Sequence, residues 1–192
     1  TDNAWDEAVY LVTSLSGYPD SEQSIALEVS QEIERKIIDH AKRRIEERIP
    51  LAYLLGFCRY AGHRFSIKEG VVIPRSPIGL LVSEGHLKSW VGKGVRRILD
   101  LCTGSGCLGI LAAHEYPEAE VVLVDKEPLA VDLAKKNVQE HDLQSRVSVV
   151  KMDVTSETLG DLGEFDLILC NPPYVDEIDM RSLPEEFSKE PT

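Results

Sequence analysis

From Arg96 onward the chain alternates short, wholly apolar runs with helical stretches, and few folds accept that rhythm. Ile98-Leu99, Val121-Val122-Leu123-Val124, Val147-Ser148-Val149-Val150 and Leu167-Ile168-Leu169 read as strands. Cys107 to His114 and Pro128 to Glu140 read as helices, with Pro128 tolerated in a first turn because its missing N–H would find no partner there anyway. A strand with one wet face alternates apolar and polar residues, whereas an uninterrupted apolar strand is buried on both faces. Joined by helices, such strands make a parallel sheet covered on both sides, the α/β class. No internal repeat or low-complexity stretch interrupts the pattern.

The first third has a different period. Ala4, Ala8, Val9, Leu11, Val12 and Leu15 line one helix face, and Gly17-Tyr18-Pro19-Asp20 breaks it. Ser24 can cap a second helix carrying Val29, Ile33, Ile37, Ala41, Ile45 and Ile49, which Pro50 ends or interrupts. Its other face (Glu32, Arg35, Lys36, Asp39, Lys42, Arg43, Glu46, Glu47) suits solvent and (i, i+4) ion pairs better than it suits RNA at Arg43-Arg44. Phe65-Ser66-Ile67-Lys68, a turn at Glu69-Gly70 and Val71-Val72-Ile73 predict a hairpin, and Pro74-Arg75-Ser76-Pro77 a stiff extended link. The expected organisation is a small helical domain over 1–58, a hairpin and linker over 59–79, and an α/β domain over 80–192.

Composition narrows the function classes. Hydrophobic residues at 43% and charged residues at 28% describe a globular chain and exclude a disordered one. No apolar run approaches the ~20 residues that cross a bilayer, and Thr1-Asp2-Asn3 has neither the basic start nor the apolar stretch of a secretory signal. A net charge of −12 repels phosphate backbones, which argues against a general nucleic-acid coat. Cys58, Cys102, Cys107 and Cys170 have no C-x-x-C spacing and fit reduced cytoplasmic thiols. His40, His63, His86, His114 and His141 never fall at ligand spacing; they read as surface or packing residues, with no metal site expected.

Between the first of those strands and its helix lies Asp100-Leu101-Cys102-Thr103-Gly104-Ser105-Gly106-Cys107-Leu108-Gly109. Gly104, Gly106 and Gly109 satisfy G-x-G-x-x-G, which serves a tight turn and a cofactor that must meet backbone N–H groups. No Lys-Ser or Lys-Thr follows, so this is not a nucleotide P-loop. Asp125, ending the second strand, suits two ribose hydroxyls, as adenosine-type cofactors present them. Dinucleotides and S-adenosylmethionine both meet that requirement. Asp100 would repel a pyrophosphate but welcome the amino end and sulfonium of S-adenosylmethionine, which favours the methyl donor. Asp153, ending the third strand, reads equally as an acceptor for an adenine amine or as a turn cap.

Asn171-Pro172-Pro173-Tyr174 follows the fourth strand. With the DLCTGSG-type loop and the acid after the second strand, it resembles class I S-adenosylmethionine-dependent methyltransferases that modify planar amide or amino nitrogens. The helical front, the hairpin and Ile73-Pro74-Arg75-Ser76-Pro77-Ile78-Gly79 resemble the protein-(glutamine-N5) methyltransferases, closest to the branch modifying large-subunit ribosomal protein three. The release-factor branch usually has a second Pro and then acidic residues after Pro-Arg, where this chain has Ser76, Pro77 and Ile78. Leu80 stands where the ribosomal-protein branch has an acid.

The resemblance implies a Rossmann-like methyltransferase sheet and S-adenosyl-L-methionine as cofactor, leaving as S-adenosyl-L-homocysteine. It implies a cofactor site of Asp100, Cys102, Thr103, Gly104, Ser105, Gly106, Asp125, Lys126, Asp153, Val154 and Asn171. Asn171, Pro172, Pro173 and Tyr174 are the implied catalytic turn, and Pro74 and Arg75 join them in contacting substrate. An amide nitrogen is a poor nucleophile because its lone pair is delocalised. The Asn171 side-chain oxygen and the Pro172 carbonyl can take its two N–H bonds and favour the charge that develops, while Tyr174 packs against the flat amide. Such chemistry calls for no metal and no nucleophilic Ser or Cys. The expected partner is a protein with an exposed glutamine, in the cytoplasm, with no membrane and no nucleic acid except within a ribosomal assembly. The alternatives are the GGQ glutamine of release factors and adenine-N6 methylation of nucleic acid, which the acidic Asp176, Glu177, Asp179, Glu185 and Glu186 disfavour. Four parallel strands against the seven of that fold predict that the natural protein continues for another ~100 residues.

Overall fold

A computed structural model describes residues 3–19, 21, 24, 27–92, 94–173 and 189–191. Two helices begin it, α1 (Ala4–Ser16) and α2 (Gln31–Glu46), followed by a single turn, α3 (Leu51–Leu55). Asn3 caps α1 by accepting from Trp5 and Asp6, and Gly17 ends it with φ 74°. The cap of α2 is Ser30, which accepts from Ile33, and not the expected Ser24. The apolar stripe of α2 also drifts. Residues four apart rotate about 40° around a helix, so Ile33 and Ile37 face α1 while Ile45 is 68% exposed. Its charged residues pair as expected of a solvated face: Lys36 with Glu32 at 2.7 Å, Arg43 with Glu47 at 3.6 Å, and Arg44 with Glu7 of α1 at 2.8 Å.

The hairpin is real but displaced. Its strands are β1 (Phe57–Tyr60) and β2 (His63–Ser66), paired Phe57↔Ser66 and Tyr60↔His63, and residues 71–73 form no strand. The turn is Ala61-Gly62, with φ of 48° and 81°. Both central residues in the left-handed region match a two-residue type I′ connection. The extended link is also shorter than expected. Ser76 caps a helix, α4 (Pro77–Ser83), with Pro77 in its first turn, and α5 (Leu87–Val91) follows.

The α/β part holds β3 (Arg97–Leu101), α6 (Cys107–Glu115), β4 (Glu120–Asp125), α7 (Pro128–Glu140), β5 (Val147–Lys151) and β6 (Leu167–Cys170). All four strands are parallel, in the order β5-β4-β3-β6, as the apolar runs predict. Connection of β5 to β6 is by a 3₁₀ turn (Leu159–Leu162) instead of a full helix. Among its residues, α6 buries all from Cys107 to Ala113 because it is sandwiched between β3, β4 and α4. Gly109 permits this contact: a Cβ there would lie 2.1 Å from Leu123 Cδ2 and 3.1 Å from Asp100 Cβ. Among the described residues no helix is long and apolar enough to cross a membrane.

One buried side chain joins the hairpin to this sheet. Asn137 of α7 is fully buried; its Oδ1 accepts from Ser66 N at 2.7 Å, and its Nδ2 donates to Ser66 O at 3.0 Å and to Ser105 O at 2.7 Å. Ser66 Oγ also donates to the Glu140 carboxylate at 2.8 Å. Asn137→Leu keeps the volume but strands three backbone groups. Urea unfolding of this variant is expected to show a loss of about 3 kcal/mol or more, and a loss below about 0.5 kcal/mol refutes the role.

Candidate active site

Strand order decides where the chemistry-bearing residues meet. The chain builds β3, β4 and β5 outward in one direction, then returns to place β6 on the other side of β3. A topological switch point therefore lies at the carboxyl ends of β3 and β6, where open α/β sheets bind ligands. Register brings Leu101 beside Cys170, so the glycine loop and Asn171-Pro172-Pro173 leave the sheet as neighbours. On the other side of β3, Leu101 pairs with Val124 and Asp125 with Lys151. The segments carrying Asp125-Lys126 and Asp153-Val154 thus reach the same edge.

Two carboxylates hold the glycine loop. Asp100 is fully buried; its Oδ2 accepts from Gly109 N at 2.9 Å and from the Thr103 hydroxyl. Its Oδ1 is buried with no partner among the described residues. Burial raises the Asp100 pKa to about 7 against the lowering effect of Thr103 and Gly109, and the charge of Asp125 adds to the rise. Asp125 Oδ2 accepts from Gly104 N at 2.8 Å and its Oδ1 from Glu127 N at 3.0 Å. A carboxylate has about four lone-pair sites, so Asp125 retains acceptor capacity for hydroxyls.

The loop is shaped for close approach. Gly104 and Gly106 have φ of 57° and 82°. A Cβ at Gly104 would sit in ordinary van der Waals contact with Val71 Cγ1 at 3.7 Å, so Val71 borders the backbone there. Cys102, at φ 54°, holds the same conformation without being glycine, a strain that surrounding structure must fix. Burial, with help from Cys170, Asp125 and Asp100, pushes its thiol up to about 11. An orphaned buried oxygen on Asp100, the left-handed glycine backbone at Gly104 and spare acceptors on Asp125 together fit an adenosine cofactor with a cationic end.

The remaining sequence-predicted residues divide. Asn171 is half-buried and makes no side-chain hydrogen bond among the described residues, while Pro172 and Pro173 are exposed. Tyr174 and the acidic run from Asp176 to Glu186 lie outside the described residues. Asp153 uses Oδ1 to accept from Thr155 N at 3.0 Å and Thr155 Oγ1 at 2.7 Å, bonds that hold its pKa below the ordinary carboxyl value, so its turn-capping role is present. Lys126 is exposed and Val154 half-buried. Arg75 makes a two-pronged pair with Glu190 at 2.7 and 2.8 Å. Leu80 is exposed on α4. Val71 and Tyr53 are residues the sequence reading missed: Val71 packs above Gly104, and the Tyr53 hydroxyl donates to Val71 O at 2.8 Å.

The histidines are not as scattered as their spacing suggests. His63, His114 and His141 come together, with every ligating atom within 4.8 Å of the others. Burial, then the neighbouring imidazoles, lowers the pKa of His63 and of His114.

Comparison with known proteins agrees with this geometry. The family model described as "Methyltransferase small domain" matches residues 83–189. A protein of Bordetella pertussis named ribosomal protein uL3 glutamine methyltransferase is 44% identical over all of this chain and 64% of its own length. Another of that name, from Francisella tularensis, is 38% identical over all of this chain and 61% of its own length. The chain thus spans under two thirds of either relative. The crystal structure of the hMettl16 catalytic domain in complex with MAT2A 3'UTR hairpin 6 has a TM-score of 0.52 at 19% identity, over 90% of this chain and 59% of that one. The N-terminal domain of human METTL16 in complex with SAH has a TM-score of 0.50 at 20% identity, over 89% of this chain and 66% of that one. At such identities these two establish a shared fold.

Asp100 gives a pH signature. Its folded pKa of about 7 lies above the ordinary carboxyl value of about 3.9. Between those values the folded state keeps a proton that the unfolded chain releases, so this group's contribution falls as pH rises from about 4 to 7 and is flat above. The slope is at most about 1.4 kcal/mol per pH unit. Asp100→Asn lacks it, so urea unfolding at pH 5 to 8 is expected to show the variant gaining on wild type as pH rises. Parallel stability curves would contradict the assignment.

Proposed function

The chain belongs to the methyltransferase small-domain family, and from that premise we propose that it uses S-adenosyl-L-methionine to methylate the side-chain amide nitrogen of a glutamine, with ribosomal protein uL3 as acceptor. The observation that carries the reading is the juxtaposition at one sheet edge of a glycine loop braced by two carboxylates and an unengaged Asn171 carboxamide. Two relatives matched along the whole chain carry the uL3 name, which favours that acceptor over release factors or adenine. Such work belongs to the cytoplasm, where ribosomal proteins are made.

When bound, the donor supplies a methyl group on a cationic sulfur. Everything else falls to the protein. Asp125, fixed by Gly104 N, offers its remaining lone pairs to ribose hydroxyls. The partnerless Oδ1 of Asp100 offers negative charge to the amino end. The Asp153 carboxylate still has Oδ2 for an adenine amine. Asn171 Oδ1 and the Pro172 carbonyl accept the two N–H bonds of the substrate amide, which draws its lone pair out of conjugation and offsets the charge arising on nitrogen. Two consecutive prolines fix φ and keep that pair of acceptors aimed. Pro74 and Arg75 contribute to the acceptor side, the latter anchored on Glu190.

Labelled methyl transfer to uL3, to a release factor and to RNA, assayed in parallel, tests the reading. Label is expected on a uL3 glutamine; label only on RNA refutes it. Asn171→Ala is expected to lower kcat by the equivalent of about 3 kcal/mol, with donor affinity unchanged. Wild-type turnover would refute the role of Asn171. Asp125→Ala is expected to weaken donor binding about tenfold or more in a calorimetric titration, since charged hydrogen bonds contribute about 1.5–3 kcal/mol.

A further inference from the structure

The three clustered histidines lie away from the site just described. His63 opens β2, His114 sits in the last turn of α6, and His141 caps the carboxyl end of α7. Because α6 begins with Cys107 at the glycine loop, His114 is removed from that start by about 10 Å of helix. The three come from separate elements, so only the folded chain assembles them.

Their local chemistry suits a cation. His141 Nε2 lies 3.0 Å from the Arg64 carbonyl oxygen. A carbonyl can only accept, so Nε2 carries the proton and Nδ1 accepts from His114 Nε2–H at 3.1 Å, a proton whose place a bound cation would take with His114 protonated on Nδ1 instead. A backbone carbonyl fixing the tautomer of a ligand is the arrangement that outer partners supply around bound metals. The His63 and His114 rings stack with centroids 4.7 Å apart. The carboxyl ends of α6 and α7 converge here, and the negative end of each helix dipole favours positive charge. Arg146, the cation that acts on His114, is committed to the carbonyls of Ala113 and Ala119. His114 is exposed, which leaves a route from solvent.

We propose that His63, His114 and His141 form a three-imidazole site for a divalent transition ion, Zn(II) foremost, with water as fourth ligand, clamping the hairpin to the ends of α6 and α7. Three nitrogen donors without carboxylate or thiolate disfavour Mg(II) and Ca(II) and suit zinc. Tetrahedral zinc with Zn–N near 2.0–2.1 Å needs nitrogens about 3.4 Å apart. Side-chain rotation of the exposed His114 and half-buried His63 can close the present spread of up to 4.8 Å.

The whole chain, stripped with a chelator and kept reduced, is titrated with Zn(II) alone and separately with Co(II). One equivalent of zinc is expected to bind, and the thermal midpoint to rise with zinc concentration, because the ligands meet only in the folded state. Co(II) is expected to give visible d–d bands of a tetrahedral nitrogen site without a sulfur charge-transfer band. His114→Gln is expected to weaken zinc binding on the order of 100-fold, no less than loss of an outer partner costs, while His86→Gln leaves it unchanged. Should His114→Gln lose its fold in chelator, His63→Gln serves the same purpose. Absence of saturable binding, equal affinity in the variant, or a thiolate band from Cys102 and Cys170 overturns the proposal.

Discussion

The glycine loop leaves Gly104 N and Gly109 N without a backbone partner, and the acids at the ends of two adjacent strands supply one. Asp100, from β3, binds Gly109 N and the Thr103 hydroxyl; Asp125, from β4, binds Gly104 N. Each carboxylate therefore ties the loop to a strand whose register is already set by the sheet. The loop keeps a left-handed backbone at Cys102, Gly104 and Gly106 because these bonds over-determine it. The same bonds bring two negative groups close, and the fully buried one holds a raised pKa as a result of burial first and of its neighbour second. Stability is given up at the place where a cationic ligand would restore it.

Asn137 extends that bracing to the front of the chain. Its amide satisfies Ser105 O in the glycine loop and both backbone groups of Ser66 at the end of β2. Hairpin, α7 and loop are thereby fixed by one side chain with all its bonds made in a dry environment, where a missing bond costs most. The segment after the hairpin then passes Val71 over Gly104, and the Tyr53 hydroxyl of α3 grips the Val71 carbonyl. The front elements thus border the candidate site as well as preceding it.

Periodicity made the sheet legible: four apolar runs became four parallel strands, and their carboxyl ends carry the residues of the candidate site. What the sequence hid has particular causes. The hairpin turn uses Ala61 at φ 48°, and alanine is no signal for a left-handed residue, whereas Glu69-Gly70 is a hydrogen-bonded turn, with Val71 N donating to Lys68 O at 3.1 Å, that joins no strands. Ser76-Pro77 carried a cap and a first-turn proline for α4, a signal masked by the stiffness of Pro74-Arg75-Ser76-Pro77. The histidine cluster had no signal at all. Its members belong to three elements, and only tertiary packing makes them neighbours.

Sheet register, more than loop conformation, sets the separation between the two halves of the candidate site. Leu101 pairs with Cys170, so the residues that follow each strand, Cys102 and Asn171, leave side by side. A slip of β6 by one residue would turn the burial pattern of Leu167-Ile168-Leu169-Cys170 inside out, burying what is now exposed. Leu169 is buried while Ile168 is 56% exposed, which penalises the slipped state on both faces. Strand pairing thus fixes where the Asn171 carboxamide of the candidate site leaves the sheet, and the proposed aiming of one nitrogen depends on that placement.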